Sequence, residues 1–376
     1  MKEPEKRCWA EISPRSLLHN YLTLRAALPR DCRFLGVVKA DAYGHGALET
    51  ALLLEGAGAD YLAVACLDEA LALRAGGVEL PLLILGHTPP VYTPTLLQNN
   101  ITQAVTGLEE ARGFADAARA ACGRLRVHMA VDTGMSRLGF LCTGARFETG
   151  VAALAEACTL PGLEVEGIFT HFAVSDEAGA ENEAYTREQF RVFLDVIAAA
   201  GERGITFPIR HCMNSGALLH YPEMALDMAR PGLLLYGYGD EAGKLGLRPC
   251  MRLVTRVLTV KDYPAGTTVS YGRRFTTERA TRMGVLGIGY ADGLPRLASN
   301  RCAFAAGGGL APQRGSICMD MCMVDLTELP AVSAGDEVEI FGPAADLNAL
   351  SRAAQTIPYE LLCAVSKRVP RVTKLF

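Results

Sequence analysis

The feature that most restricts the fold of this 376-residue chain is an alternation of short apolar runs and helical patterns between Phe34 and Ala229. Strand-like runs fall at 34–38, 61–65, 80–85, 101–105, 125–131, 163–170, 209–213 and 225–229, and helical periodicity fills most of the intervals, for example 47–56, 67–75, 108–121 and 183–200. The first of them, Phe34 to Val38, is continuously apolar, the pattern of a strand buried on both faces in a parallel sheet. About eight such strands over roughly 200 residues predict a (β/α)8 TIM-like barrel. A doubly wound open sheet is the alternative. It is disfavoured because no Gly-x-Gly-x-x-Gly follows the first strand.

After about residue 239 the texture changes to short Val-, Leu- and Ile-rich runs at 252–260, 283–288, 321–326 and 337–341. Pro264-Ala-Gly266, Gly307-Gly-Gly309 and Ala334-Gly-Asp336 punctuate them as turns. The expected organisation is α/β plus β: a barrel over 12–238, and a mostly β domain made of 1–11 and 239–376. The latter closes with a helix near 347–354 and a segment at 358–365.

Composition narrows the function. Hydrophobic residues make up 50% of the chain, enough for a large core. A net charge of -4 and a pI near 6.0, with Lys and Arg scattered, exclude a basic stripe and hence nucleic acid as a partner. No apolar run reaches the roughly 18 residues of a membrane span, and Lys2 to Arg7 lead into no signal-type apolar core, so a cytoplasmic protein is expected. The 12 cysteines are dispersed as free or buried thiols, and the close pair Cys318 and Cys322 lacks the further ligands of a tetrahedral site, so no metal is expected.

The reactive residues follow the strands. Lys39 ends the first, where partial burial would favour the neutral amine needed for Schiff-base chemistry or proton transfer; a snorkelling lysine is the structural alternative. Arg137 follows the fifth strand, His171 the sixth, Asn214-Ser215-Gly216 the seventh, and Arg230-Pro-Gly232-Leu233 the eighth. That is the face on which barrel enzymes build their sites. Singly, His171 reads as a hydrogen-bonded structural histidine, and Arg230 as a helix cap or a partner of Asp227. Ser215-Gly216 and Gly232-Leu233 fall at expected helix starts, where backbone N–H groups can hold a phosphate. A reactive lysine beside a phosphate cradle points to pyridoxal 5'-phosphate.

The run Val38-Lys-Ala-Asp-Ala-Tyr-Gly-His-Gly46 resembles the cofactor-lysine signature of the alanine racemase family, of the fold type III pyridoxal phosphate enzymes. Asp132-Thr-Gly-Met-Ser-Arg-Leu-Gly139, Asn214-Ser215, Ala229-Arg-Pro-Gly232, Ser270-Tyr-Gly272, Gly289-Tyr-Ala-Asp-Gly293, Cys318-Met-Asp320 and Ile357-Pro-Tyr-Glu360 extend the likeness over nearly the whole chain.

The resemblance implies a two-base interconversion of L- and D-alanine. Lys39 would carry the cofactor and serve as one base, and Tyr271 of the partner subunit would be the other, in a head-to-tail homodimer. Two groups on opposite faces can remove and return the α-proton without turning the substrate. His171 and Arg230 would modulate Tyr271, and Arg230 would face the ring nitrogen. The remaining cofactor contacts implied are Tyr43, Asn214, Ser215, Gly232, Leu233 and Tyr359; those for substrate are Arg137, Met319, Tyr290, Cys318 and Asp320. D-Alanine for peptidoglycan is the implied product, with serine as an alternative substrate.

Many family members carry a carbamylated lysine seven residues before the arginine equivalent to Arg137. Here that position is Ala130, so a bound anion such as chloride, or a nearby carboxylate, is expected in its stead. A basic-amino-acid decarboxylase of similar architecture is disfavoured, because that group resembles a pattern with an acidic residue at the ring nitrogen. A small pyridoxal phosphate carrier would lack the β domain.

Overall fold

The computed structural model describes residues 6–239 and 241–374; residues 1–5 of the charged tail, Asp240 and residues 375–376 lie outside the described residues. The described residues form two compact units, one from 21–42 and 47–235, the other from those up to 20, from 43–46 and from 236 onward.

In the first unit eight parallel strands run in the order Met228–Ala229, Arg33–Val37, Tyr61–Val64, Leu82–Ile84, Ile101–Val105, Leu125–Asp132, Leu163–Phe169 and Ile209–His211. The sheet is nearly closed: Asp227 N–H donates to Arg210 O at 3.0 Å, and Arg230 N–H to Met213 O at 2.9 Å, between its last and first members. The TIM-like barrel expected from the alternation is therefore present. Where both faces of a strand are buried, one on the interior and one under helices, the run is continuously apolar; Leu82, Leu83 and Ile84 are all at 0% exposure. The helices bury one stripe each. In Leu108–Ala120 this is Ala111, Phe114, Ala115 and Ala118, a helical repeat whose Phe114 alone contributes roughly 3 kcal/mol or more of packing.

The second unit is antiparallel β. Its strands Thr281–Leu286, Cys322–Asp325, Gly309–Arg314, Ala303–Ala306, Glu337–Phe341 and Met251–Tyr263 pair in that order, and the last pairs back with the first to close a ring. Cys8–Ile12 joins this sheet through Met251–Tyr263, and Arg371–Thr373 adds to it in parallel. Ser13 accepts the N–H of Ser16 at 3.2 Å, starting helix Pro14–Ala27 with proline in its first turn.

The structure adds to the sequence reading. A helix Thr93–Gln98 occupies an interval to which no element was assigned. The glycine triplet is a turn, as expected, and it tips a hairpin of two strands the sequence reading did not assign, with Gly307 at φ +56° and Gly308 at +83° between Ala303–Ala306 and Gly309–Arg314. Asp227 pairs with Arg210 at 2.7 Å, so it is no partner for Arg230.

Candidate active site

Lys39 follows the first barrel strand, whose Phe34 to Val37 are buried, and is itself half-buried. The chain then enters a conformation that sequence did not suggest. Ala40, Asp41, Ala42 and Tyr43 all have φ between +53° and +55°, ahead of Gly44 at +81°. A left-handed turn of four non-glycine residues costs roughly 1–2 kcal/mol per residue, and it persists only where surroundings over-determine it. Two carboxylates supply part of that constraint. Glu69 accepts the N–H of Ala40 through one oxygen and of Ala65 through the other, both at 2.7 Å, and Asp41 accepts the N–H of Ala47 at 2.8 Å.

Arg230 follows the eighth strand, which pairs with the first; it is 4% exposed and is fixed by acceptors at the ends of the sixth and seventh strands. Its Nη1 donates to His211 Nδ1 at 2.9 Å; its Nη2 donates to Thr170 O at 2.9 Å and Cys212 O at 3.2 Å, and lies 3.4 Å from His171 Nδ1. The guanidinium carbon stands 5.5 Å from the centre of the Phe169 ring. Burial pushes the Arg230 pKa down to about 10, which leaves the group charged at neutral pH. A guanidinium has five N–H bonds, and among the described residues none accepts from Arg230 Nε. Burial, reinforced by the Arg230, Arg137 and Lys39 charges, pushes His171 down to about 3, so its imidazole is neutral under ordinary conditions.

Beyond the seventh strand Asn214 caps helix Ser215–His220, accepting the N–H of Ala217 and the hydroxyl of Ser175 at 2.9 and 2.8 Å. Ser215 Oγ accepts from Gly232 N–H at 2.9 Å and meets Leu234 N–H at 3.5 Å, so its own proton remains for another acceptor. Gly216 has to be glycine here: a Cβ would lie 2.7 Å from Asp176 N and 2.8 Å from Ser175 C. Arg137, exposed beyond the fifth strand, has no hydrogen-bond or ion-pair partner among the described residues, so the expectation of a nearby carboxylate in place of the missing carbamate finds no support.

In the second unit Tyr271, Tyr290 and Met319 are 70%, 42% and 53% exposed. Their loops are laced together. Ser316 Oγ donates to Tyr271 O at 2.8 Å, Ser270 Oγ to Ser316 O at 2.7 Å, Tyr290 N–H to Cys318 O at 2.9 Å and Ala291 N–H to Met319 O at 3.0 Å. A Cβ on Gly289 would come within 2.3 Å of Cys318 O, which is why glycine starts that turn. Cys318 Sγ lies 3.4 Å from Ser270 Oγ, and Asp320 is paired with Arg368 at 2.8 Å. Buried Asp292 anchors the set, accepting from Arg7, Arg368 and the Gly289 N–H at 2.6, 2.8 and 2.9 Å. The rings of Tyr43 and Tyr359 are 5.8 Å apart, and burial raises the Tyr43 phenol, keeping it a hydrogen-bond donor.

Within the barrel unit, then, Lys39, Arg137, His171 and Arg230 interact electrostatically, and Ser215 meets Gly232. His211 and Thr170, which position Arg230, were not singled out from sequence. His211 closes its strand as His171 follows the sixth, and that shared position was the available signal.

Residues 12–240 match the family described as "Alanine racemase, N-terminal domain", and residues 250–373 the family "Alanine racemase, C-terminal domain". The chain is 42% identical to the alanine racemase of Desulforamulus reducens, over 99% of both sequences. It is 44% identical to that of Desulfovibrio desulfuricans, over 98% of both. Among solved structures it is similar to alanine racemase from Clostridium difficile 630, with a TM-score of 0.92, 36% identity and coverage of 99% of this chain and 97% of that one. It is similar also to the enzyme from D-cycloserine-producing Streptomyces lavendulae, with a TM-score of 0.92, 36% identity and coverage of 99% and 98%.

Proposed function

Because the chain belongs to the alanine racemase family and interconverts L- and D-alanine, we propose that it does so with pyridoxal 5'-phosphate on Lys39, with Lys39 and the Tyr271 of a second copy as the two proton-transfer bases. The observation that carries this reading is Arg230. A charged guanidinium, 4% exposed and with its Nε–H unused by described residues, fits an unprotonated ring nitrogen as acceptor.

The other donors fit the same group. The Ser215 hydroxyl retains its proton, and Lys39 presents an amine from a half-buried strand end. Bound there, pyridoxal phosphate would supply a carbonyl that links amines and a ring that draws electrons from the substrate α-carbon. Arg230 would keep that ring nitrogen free of a proton, since a guanidinium does not readily give one up. Neutral His171 leaves the site one positive charge fewer.

Lys39 and Tyr271 would act on opposite faces of the substrate α-carbon, each holding the proton the other face releases. Arg137, with no carboxylate partner of its own, suits the alanine carboxylate. Exposure of Tyr271, Tyr290 and Met319 on three laced loops supports a head-to-tail homodimer in which these side chains enter the partner's site. Met319 N–H, which donates to no described residue, would serve substrate there, and Tyr290 would narrow the approach. Among the described residues no helix is long and apolar enough to cross a membrane, and we assign the enzyme to the cytoplasm as a supplier of D-alanine for peptidoglycan.

The test is polarimetry with L-alanine and L-serine, with and without added pyridoxal phosphate, followed by borohydride reduction and peptide mapping. Loss of rotation with alanine and label on Lys39 are expected. Cofactor-independent racemisation, or label elsewhere, would overturn the assignment.

A further inference from the structure

Inside the barrel a set of polar side chains that the proposed chemistry leaves unused is joined to Arg230. Beyond the Arg230 Nη1 bond to His211 Nδ1 of 2.9 Å, His211 Nε2 lies 2.8 Å from His128 Nδ1, and His128 Nε2 lies 3.1 Å from Glu166 Oε2. The Tyr61 hydroxyl donates to the same Glu166 oxygen. His128 and His211 are at 0% exposure and Tyr61 at 4%. None of these bonds is local in sequence: they connect the second, fifth, sixth, seventh and eighth barrel strands.

One arrangement of protons satisfies the whole set. Arg230 only donates, so His211 Nδ1 must present its lone pair, and neutral His211 then carries its proton on Nε2. That proton points to His128 Nδ1, which must in turn accept. His128 therefore carries its own proton on Nε2 and donates it to the Glu166 carboxylate. The reverse tautomers would set an imidazole N–H against the guanidinium. Burial holds both histidines below their usual pKa and hence neutral. Burial alone would raise Glu166, but hydrogen bonds from His128 and Tyr61, with the charge of Arg126, hold it below its usual value and ionised.

We propose that Glu166, acting through His128 and His211, is a positioning residue that fixes the orientation and polarisation of Arg230 from the far side of the barrel interior. The inference rests on the reading of Arg230 as the group facing the cofactor ring. An uncompensated buried guanidinium is costly, while a carboxylate placed directly against it would bring negative charge to the ring nitrogen and favour its protonation. Two neutral imidazoles resolve the conflict. They transmit the carboxylate's polarisation to His211 Nδ1 yet keep the charge itself away from the ring.

The test uses holoenzyme labelled with ¹⁵N-histidine, as wild type, Glu166→Gln and Tyr61→Phe. In the wild type, His128 and His211 should both be neutral with Nδ1 unprotonated. Glu166→Gln, which keeps size and removes charge, should shift the His211 Nδ1 resonance and the visible band of the bound cofactor. It should also lower kcat about tenfold with KM within about twofold, the scale of lost outer-shell support. Tyr61→Phe removes one bond to Glu166 and should move the same signals less, in the same direction; it provides the reading where Glu166→Gln fails to fold. A protonated Nδ1 on either histidine, or resonances and band unmoved in the variants, overturns the relay while racemisation persists. A wild type that neither binds pyridoxal phosphate nor racemises alanine overturns the reading of Arg230 beneath it.

Discussion

Replacing Gly216 by alanine probes the phosphate cradle without touching a polar group. The added Cβ would stand 2.7 Å from Asp176 N, where ordinary contact begins at 3.4 Å, so the helix start must move by 3.4 minus 2.7, or 0.7 Å. Asp176 N is backbone and cannot swing aside. Carried onto the adjoining Ser215 Oγ, that movement takes its 2.9 Å bond with Gly232 N–H to about 3.6 Å, beyond hydrogen-bond range. Steric strain of about 1–3 kcal/mol is offset by roughly 1 kcal/mol of helix propensity, so the fold should survive. The cradle should not survive intact. Losing one charge-assisted bond to phosphate, about 1.5–3 kcal/mol, weakens pyridoxal phosphate binding roughly ten- to a hundredfold. Titration of cofactor-stripped protein, followed by visible absorbance, measures this. A Gly216→Ala protein with unchanged cofactor affinity would refute the placement of phosphate at Ser215.

Gly56→Ala is the matching control: a Cβ there meets nothing within 4 Å inside helix Ala47–Ala57, so thermal unfolding should show a gain of about 0.5–1 kcal/mol, and a loss would contradict the packing described. His171 has its folded pKa depressed to about 3 from an unfolded value near 6.5, so its contribution to stability is present above pH 6.5 and is lost as pH falls toward 3. His128 and His211 carry the same sign. Calorimetry from pH 7 to 4 should show a falling Tm, with a shallower slope in His171→Gln; parallel curves would remove His171 from the account. Tyr271→Phe should still take up cofactor while racemisation from L-alanine drops by roughly 10²–10⁴, the usual contribution of a positioned base, and equal rates in both proteins would exclude Tyr271 as that base.

The barrel was legible because strands buried on both faces, such as those at Phe34 to Val38 and Leu82 to Ile84, write themselves as continuous apolar runs, and polar residues at the strand ends then stand out. Lys39, His171, Asn214 and Arg230 were found that way. Helix Thr93–Gln98 was not: six residues with Pro94 in the first turn leave no amphipathic period to read. Nor was strand Ala303–Ala306, whose three alanines favour helix, or its partner, which carries Pro312 opposite Ala303. The left-handed turn at 40–43 escaped because Ala-Asp-Ala-Tyr carries none of the glycine that normally marks positive φ; its cause is tertiary, in part the grip of Glu69 on Ala40. His128 and Glu166 lie within strands rather than at their ends, and only the closed sheet brings them into line with His211.

The claim that the active site is assembled from two copies of the chain has a direct measurement. Lys39→Ala and Tyr271→Phe are each expected to lack two-base racemisation, and co-expression of the two yields mixed dimers in which one site pairs an intact Lys39 with an intact Tyr271 from its partner. With random pairing, half of the dimers are mixed and half of their sites are restored, so about a quarter of wild-type alanine racemase activity should return. Activity no greater than that of the separate variants would contradict the shared site and return Tyr271 to its own subunit.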